Sequence, residues 1–88
     1  MDLGIRLFDV GGRVRLAYVE RVRPNFPARR AGVQPDDLIL SLNGEVVADC
    51  AAYRRLTARL RPGQPVTLIV KRGETVELLE IPAQEASE

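Results

Sequence analysis

Apolar residues recur along this chain with two periods, and each period predicts an element. Leu3, Ile5 and Leu7 alternate with Gly4, Arg6 and Phe8, the pattern of a strand over residues 3–8. Asp9-Val10-Gly11-Gly12 reads as a turn, because adjacent glycines permit positive φ twice. A second strand follows over residues 13–22, with either Val14, Leu16 and Tyr18 or Ala17 and Val19 facing inward between Arg13, Arg15 and Glu20. Pro24, in Arg23-Pro24-Asn25, ends it by withholding a ladder donor. Ala28 to Ala31 can form one helical turn, and Gly32 stands where a left-handed residue would stop it. Gln34-Pro35-Asp36-Asp37 reverses the chain. Leu38, Leu40 and Leu42 then alternate with Ile39, Ser41 and Asn43 as a mostly buried strand. Asn43-Gly44 is a strong hairpin signal, and Glu45-Val46-Val47 has room for a small strand.

The period changes at Asp49, a good N-cap. From Cys50 to Leu60 the apolar positions Tyr53, Leu56 and Leu60 keep helical spacing, until Arg61-Pro62-Gly63 breaks it. Val66 to Lys71 is rich in β-branched residues, Arg72-Gly73-Glu74 is a hairpin turn, and Val76 to Ile81 is the return strand. The order β-β-short α-β-(β)-α-β-β predicts a mainly β, α+β fold. Its form is a partly open, mainly antiparallel barrel or sandwich of five to six strands, with two helices on its open edges. One domain over residues 1–82 and a disordered polar tail over residues 83–88 account for the chain. Its 88 residues have no room for two cores.

Composition narrows the chemistry. Only Phe8, Phe26, Tyr18 and Tyr53 are aromatic, so the core must be aliphatic. Cys50 is the single cysteine, which excludes an internal disulfide. Histidine is absent, which removes the commonest general base and metal ligand. Ser41 and Ser87 have no base to activate them. Asp36 and Asp37 are adjacent on a turn and point apart, so a local side-chain-to-backbone hydrogen bond is the expected role. No catalytic residue, cofactor or metal is implied, and the chain reads as a non-enzyme.

Net charge is +1, so the chain as a whole has no drive towards nucleic acid or an anionic membrane. Arg13, Arg15, Arg21 and Arg23 share one face of the second strand, with Arg29 and Arg30 nearby. Glu20 interrupts that stripe and no aromatic accompanies it, so it reads as the solvent face of a sheet. No apolar run reaches membrane-spanning length, and direct membrane contact is not expected.

Residues 26–44 carry one further signal. The run Ala31-Gly32-Val33-Gln34-Pro35-Asp36-Asp37, leading into a strand that ends in Asn43-Gly44, resembles the centre of a PDZ domain of the bacterial, circularly permuted type. The resemblance extends from Leu3 to about Pro82. Asp36 stands where the family's more usual Pro-Gly-Asp turn has glycine, a substitution that aspartate tolerates. In such domains a hydrophobic-Gly-hydrophobic segment turns its amides towards a ligand's C-terminal carboxylate. The matching donors here are the amides of Leu3, Gly4 and Ile5, a backbone nest that glycine lets a ligand approach. The strand that follows offers an edge for β-strand addition.

The resemblance then implies a pocket lined by Leu3, Ile5 and Leu7, walled by the helix over residues 51–60. Counted back from Gly63, Tyr53, Thr57 and Leu60 fall on the core face, and Ala52, Leu56 and Arg59 face the groove. Ala52, at the helix start, implies a hydrophobic preference two residues before the ligand's end. Without the resemblance, Leu3, Ile5, Leu7 and Leu56 read as core, and Gly4 as a β-bulge. The implied partners are a peptide or protein C-terminus and the protease domain of a larger bacterial parent, in a periplasmic or other extracytoplasmic compartment. The competing expectation is an assembly domain with a blocked groove, docked on a neighbouring domain or on itself.

Overall fold

A computed structural model describes residues 3–8, 16–61 and 63–82. The elements are β1 (Ile5–Leu7), β2 (Val19–Val22), α1 (Pro27–Ala31), β3 (Leu38–Leu42), β4 (Glu45–Val46), α2 (Cys50–Ala58), β5 (Val66–Arg72) and β6 (Thr75–Ile81). They form two antiparallel sheets: β1 pairs with β2, and a four-stranded sheet runs β4-β3-β5-β6. The sheets do not close into a barrel. The predicted glycine turn at residues 9–12, the start of the second strand at residues 13–15, Pro62 and the tail at residues 83–88 lie outside the described residues.

Local chemistry explains the joints. Pro27 opens α1 with its φ already helical, and Gly32 closes it at φ 100°. Asn43 and Gly44, at φ 50° and 82°, make the β3–β4 turn. The Asn43 side chain and N–H also bond Thr67, locking this turn to β5. Asp36 has φ 72°, so aspartate does adopt the left-handed geometry at the position where glycine is more usual.

The structure decides one alternation between the two sets read along the chain and differs from the other. In the second strand the inward residues are Ala17 and Val19, both fully buried, whereas Leu16 and Tyr18 are about half exposed. The reason is backbone approach: the Ile39 N–H bonds the Ala17 carbonyl at 3.0 Å, and Tyr18 bridges Leu38. In β3 the register against β5 shifts between Ile39 and Ser41. That bulge puts Ile39 and Leu42, not Leu38 and Leu40, fully into the core.

The core is aliphatic, with Leu3, Val19, Ile39, Leu42, Val66, Leu68, Val70 and Ile81 all but inaccessible. One charged group is buried among them. Asp37 is 1% exposed and receives both the Arg72 Nε and Nη2 at 2.8 Å. The same Nη2 donates to the Gly32 carbonyl at 2.9 Å, and the Gln34 N–H donates to Asp37 Oδ2 at 2.9 Å. This bidentate pair pins β5 to the turn and to the end of α1.

Candidate functional site

The segment Leu3-Gly4-Ile5 is held from two sides. The Leu3 carbonyl accepts from the Ala28 N–H at 3.2 Å, and the Gly4 carbonyl accepts from the Arg23 N–H at 2.8 Å. Gly4 has φ 86°, and a Cβ there would collide with Phe26. Glycine is therefore required twice, by its backbone angle and by the aromatic ring above it. Arg23 lies over that ring in turn, 5.6 Å from its centroid.

The pairing direction of β1 follows from those bonds. The Arg23 N–H bonds the Gly4 carbonyl, and Ile5 opposes Val22. Antiparallel alternation then makes Ile5–Val22 a non-bonded pair, so the Ile5 N–H and C=O point away from β2. Among the described residues, no strand pairs with that outer edge of β1. The ladder shifts register between Arg6 and Leu7 and ends with the Phe8 N–H on the Tyr18 carbonyl at 3.0 Å.

Helix α2 is started by Asp49, whose Oδ1 accepts the Ala52 N–H at 2.7 Å. Cys50 fixes where that start lies: its Sγ donates to the Phe8 and Leu16 carbonyls at 3.5 Å each. The helix thus begins beside the far end of β1.

Leu3, Leu7, Ala52 and Leu56 are all buried, Ile5 is half-buried, and Arg59 is exposed. Tyr53 and Leu60, given to the core, are buried, while Thr57 is half-buried with its hydroxyl donating to the Arg54 carbonyl. Leu3, Leu7 and Leu56 join the same apolar cluster as Tyr53 and Leu60; Ala52 is buried outside that cluster. Leu56 accordingly contributes to the core whatever else it does. A charge at Leu56 would act on folding as well as on any groove.

Sequence reasoning missed Phe26 as the partner of Gly4, and Arg72 as the partner of Asp37. The second pair is 35 residues apart along the chain, beyond any local pattern. Among the described residues, no cluster of three metal-ligating side chains occurs, and no helix is long and apolar enough to cross a membrane.

Comparison with known proteins places this geometry. A protein-family model described as PDZ domain matches residues 1–82. A protein of Agrobacterium fabrum described as a zinc metalloprotease is 38% identical over 80 residues, which span 89% of this chain and 21% of that protein. A DegP-like periplasmic serine endoprotease of Hahella chejuensis is 36% identical over 76 residues, 81% of this chain and 16% of the relative. The chain therefore spans about a fifth or less of these relatives' length. Among solved structures, the HtrA3 PDZ domain bound to a phage-derived ligand (FGRWV) superposes with a TM-score of 0.74 at 27% identity, covering 92% of this chain and 82% of that one.

Proposed function

Because the chain belongs to the PDZ domain family, we propose that it captures an extended peptide or a protein C-terminus by adding it as a strand to β1, against α2. The observation that carries this reading is the outer edge of β1, where the Ile5 backbone groups point away from β2. The amides of Leu3, Gly4 and Ile5 receive the carboxylate, and half-buried Ile5 lines the pocket for the last side chain, with buried Leu3 and Leu7 beneath it. Ala52, Leu56 and Arg59 form the helical wall, with Arg59 at its solvent-facing rim. The chain is an interaction module and not an enzyme; the proteolytic activities belong to much longer relatives. Its part in a longer protein is to deliver substrate to a protease domain or to gate it. The relatives include periplasmic endoproteases, which supports an extracytoplasmic setting. Affinity is on the order of micromolar, because ordering a flexible peptide offsets much of the hydrogen-bond gain.

The test is an NMR titration of the labelled domain with peptides ending in free hydrophobic carboxylates, and with their C-terminally amidated copies. Shifts at residues 3–8 and 52–59 that need the free carboxylate are expected. Equal shifts with the amides would make the site an internal-strand binder, and silence from both would overturn peptide capture.

A second reading, docking on a neighbouring domain, draws support from a different face. Val46, Ser41, Ile69 and Leu78 lie in one row across the four-stranded sheet by register. Val46 and Leu78, at its two ends, are 76% and 60% exposed. Such a row is costly to leave in water.

A further inference from the structure

A second edge on the same small sheet is also unfilled. β2 turns its far side towards the Asp36–Asp37 turn: the Val19 N–H bonds the Asp37 carbonyl at 2.8 Å, and the Asp36 N–H bonds the Val19 carbonyl at 2.7 Å. That pairing stops at Pro35, which has no N–H to give. Val22, the non-bonded partner of Ile5, directs its own N–H and C=O to the same far side. There the chain leaves an open hollow of about 570 Å³. Glu20, Arg21 and Val22 line it from β2, and Arg29, Val33 and Pro35 line it opposite. Val22 and Val33 are buried and form its apolar floor.

The charge around the hollow is one-sided. Glu20, its acidic member, is engaged by Arg6 at 3.3 Å. Arg21 and Arg29 are exposed, and among the described residues neither forms an ion pair. The register sets Arg21 directly opposite Arg6, and like charges so placed destabilise a ladder. An anionic group beside Arg21 would relieve that repulsion.

We infer that this hollow docks an acidic, extended polypeptide segment, separate from the β1–α2 groove. The segment continues the short pairing begun by Asp36 and Asp37, bonding the Val22 backbone, with small apolar residues towards Val22 and Val33. Its carboxylates face Arg21 and Arg29. A partner held here leaves the outer edge of β1 open, so both sites can be filled at once.

The probe is an N-acetylated, C-amidated hexapeptide alternating glutamate and valine, titrated into the labelled domain at low and moderate salt. Amide shifts centred on Val22, Val33 and Gln34 are expected, weakening as salt rises. Because Arg21 and Arg29 are exposed and Arg21 opposes Arg6, R21E/R29E should fold with a melting temperature no lower than that of the parent chain. That variant should bind about five-fold or more weakly, as two exposed ion pairs allow. Saturating the β1–α2 groove with a peptide bearing a free hydrophobic carboxylate should leave this binding in place. Shifts confined to residues 3–8 and 52–59, displacement by the groove peptide, or indifference to the double charge reversal would each overturn the proposal. So would equal shifts from a short single-stranded oligonucleotide, which would make the hollow a general polyanion surface. Failure here leaves the groove reading untouched, since the two probes report on different residues.

Discussion

Phe26 sits on Gly4 so closely that a methyl group at Gly4 would meet the Phe26 Cβ and, at 2.6 Å, its Cγ. The aromatic side chain takes the space that any other residue's Cβ would need, and Gly4 holds φ 86° beneath it. Gly4→Ala should therefore destabilise the domain by about 1–3 kcal/mol through strain at positive φ, with a steric cost added. Part of this should be recovered in Phe26→Gly, which removes the colliding Cβ and Cγ but not the φ strain. A double-mutant cycle in urea checks it, and strict additivity would show that the Phe26 side chain is not what excludes a Cβ at Gly4.

Arg72 and Asp37 set the acid limit of the fold. Burial would raise the Asp37 carboxyl pKa; the hydrogen bonds from Arg72 and the Gln34 N–H, with the charge of Arg72, outweigh it and hold the pKa below the ordinary 3.8. The unfolded chain then binds this proton more readily than the folded one. The pair's contribution is complete above the ordinary value and is lost as pH falls below it, towards the folded-state pKa. Urea midpoints measured from pH 7 to pH 2.5 should fall at the acid end, less steeply in Asp37→Asn.

Removing only the cation is the harsher change. Arg72→Ala leaves Asp37, 1% exposed, with a buried charge and the Gln34 N–H as its remaining donor of those described. A loss of about 3 kcal/mol is expected at neutral pH. Arg72→Lys should recover only part of it, because an ammonium cannot make the bidentate contact. Thermal unfolding of both variants decides this.

At the start of α2, Asp49→Ala removes the acceptor for the Ala52 N–H and should cost about 1 kcal/mol. Asp49→Ser should be nearly neutral. Circular dichroism melts of the two, compared side by side, separate capping from surface charge.

Cys50 is 4% exposed, with its thiol directed at the Phe8 and Leu16 carbonyls. A bulky thiol reagent should label it only as fast as the helix start opens. Labelling in native buffer should be orders of magnitude slower than in urea, and faster in Asp49→Ala.

The elements were legible wherever a local rule decides them. Gly32 after Ala31, Asn43-Gly44 after Leu42 and Asp49 before Cys50 each fix a boundary through one backbone angle or one hydrogen bond, and the structure keeps all three. What escaped depends on register. The bulge between Ile39 and Ser41, and the choice of Ala17 and Val19 over Leu16 and Tyr18 as the inward set, arise from neighbouring strands, which periodicity along one strand does not report. The candidate site was partly legible for the same reason. Gly4 stands out in a strand, whereas Phe26 above it and Arg72 behind Asp37 are brought there by the fold.

The two sheets are joined unevenly, and that orders how the domain comes apart. Among the described residues, the backbone bonds from the second strand to the Asp36–Ile39 segment are few: Val19 to Asp37, Asp36 to Val19 and Ile39 to Ala17. β3, β5 and β6 are by contrast laced along their length. The unit of β1 and β2 should open first in amide exchange, with the four-stranded sheet persisting. The strand proposed to capture ligand lies in that early-opening unit. An occupied groove would then act as a late-added strand that closes the weaker half, and protection gained on binding would appear there before anywhere else.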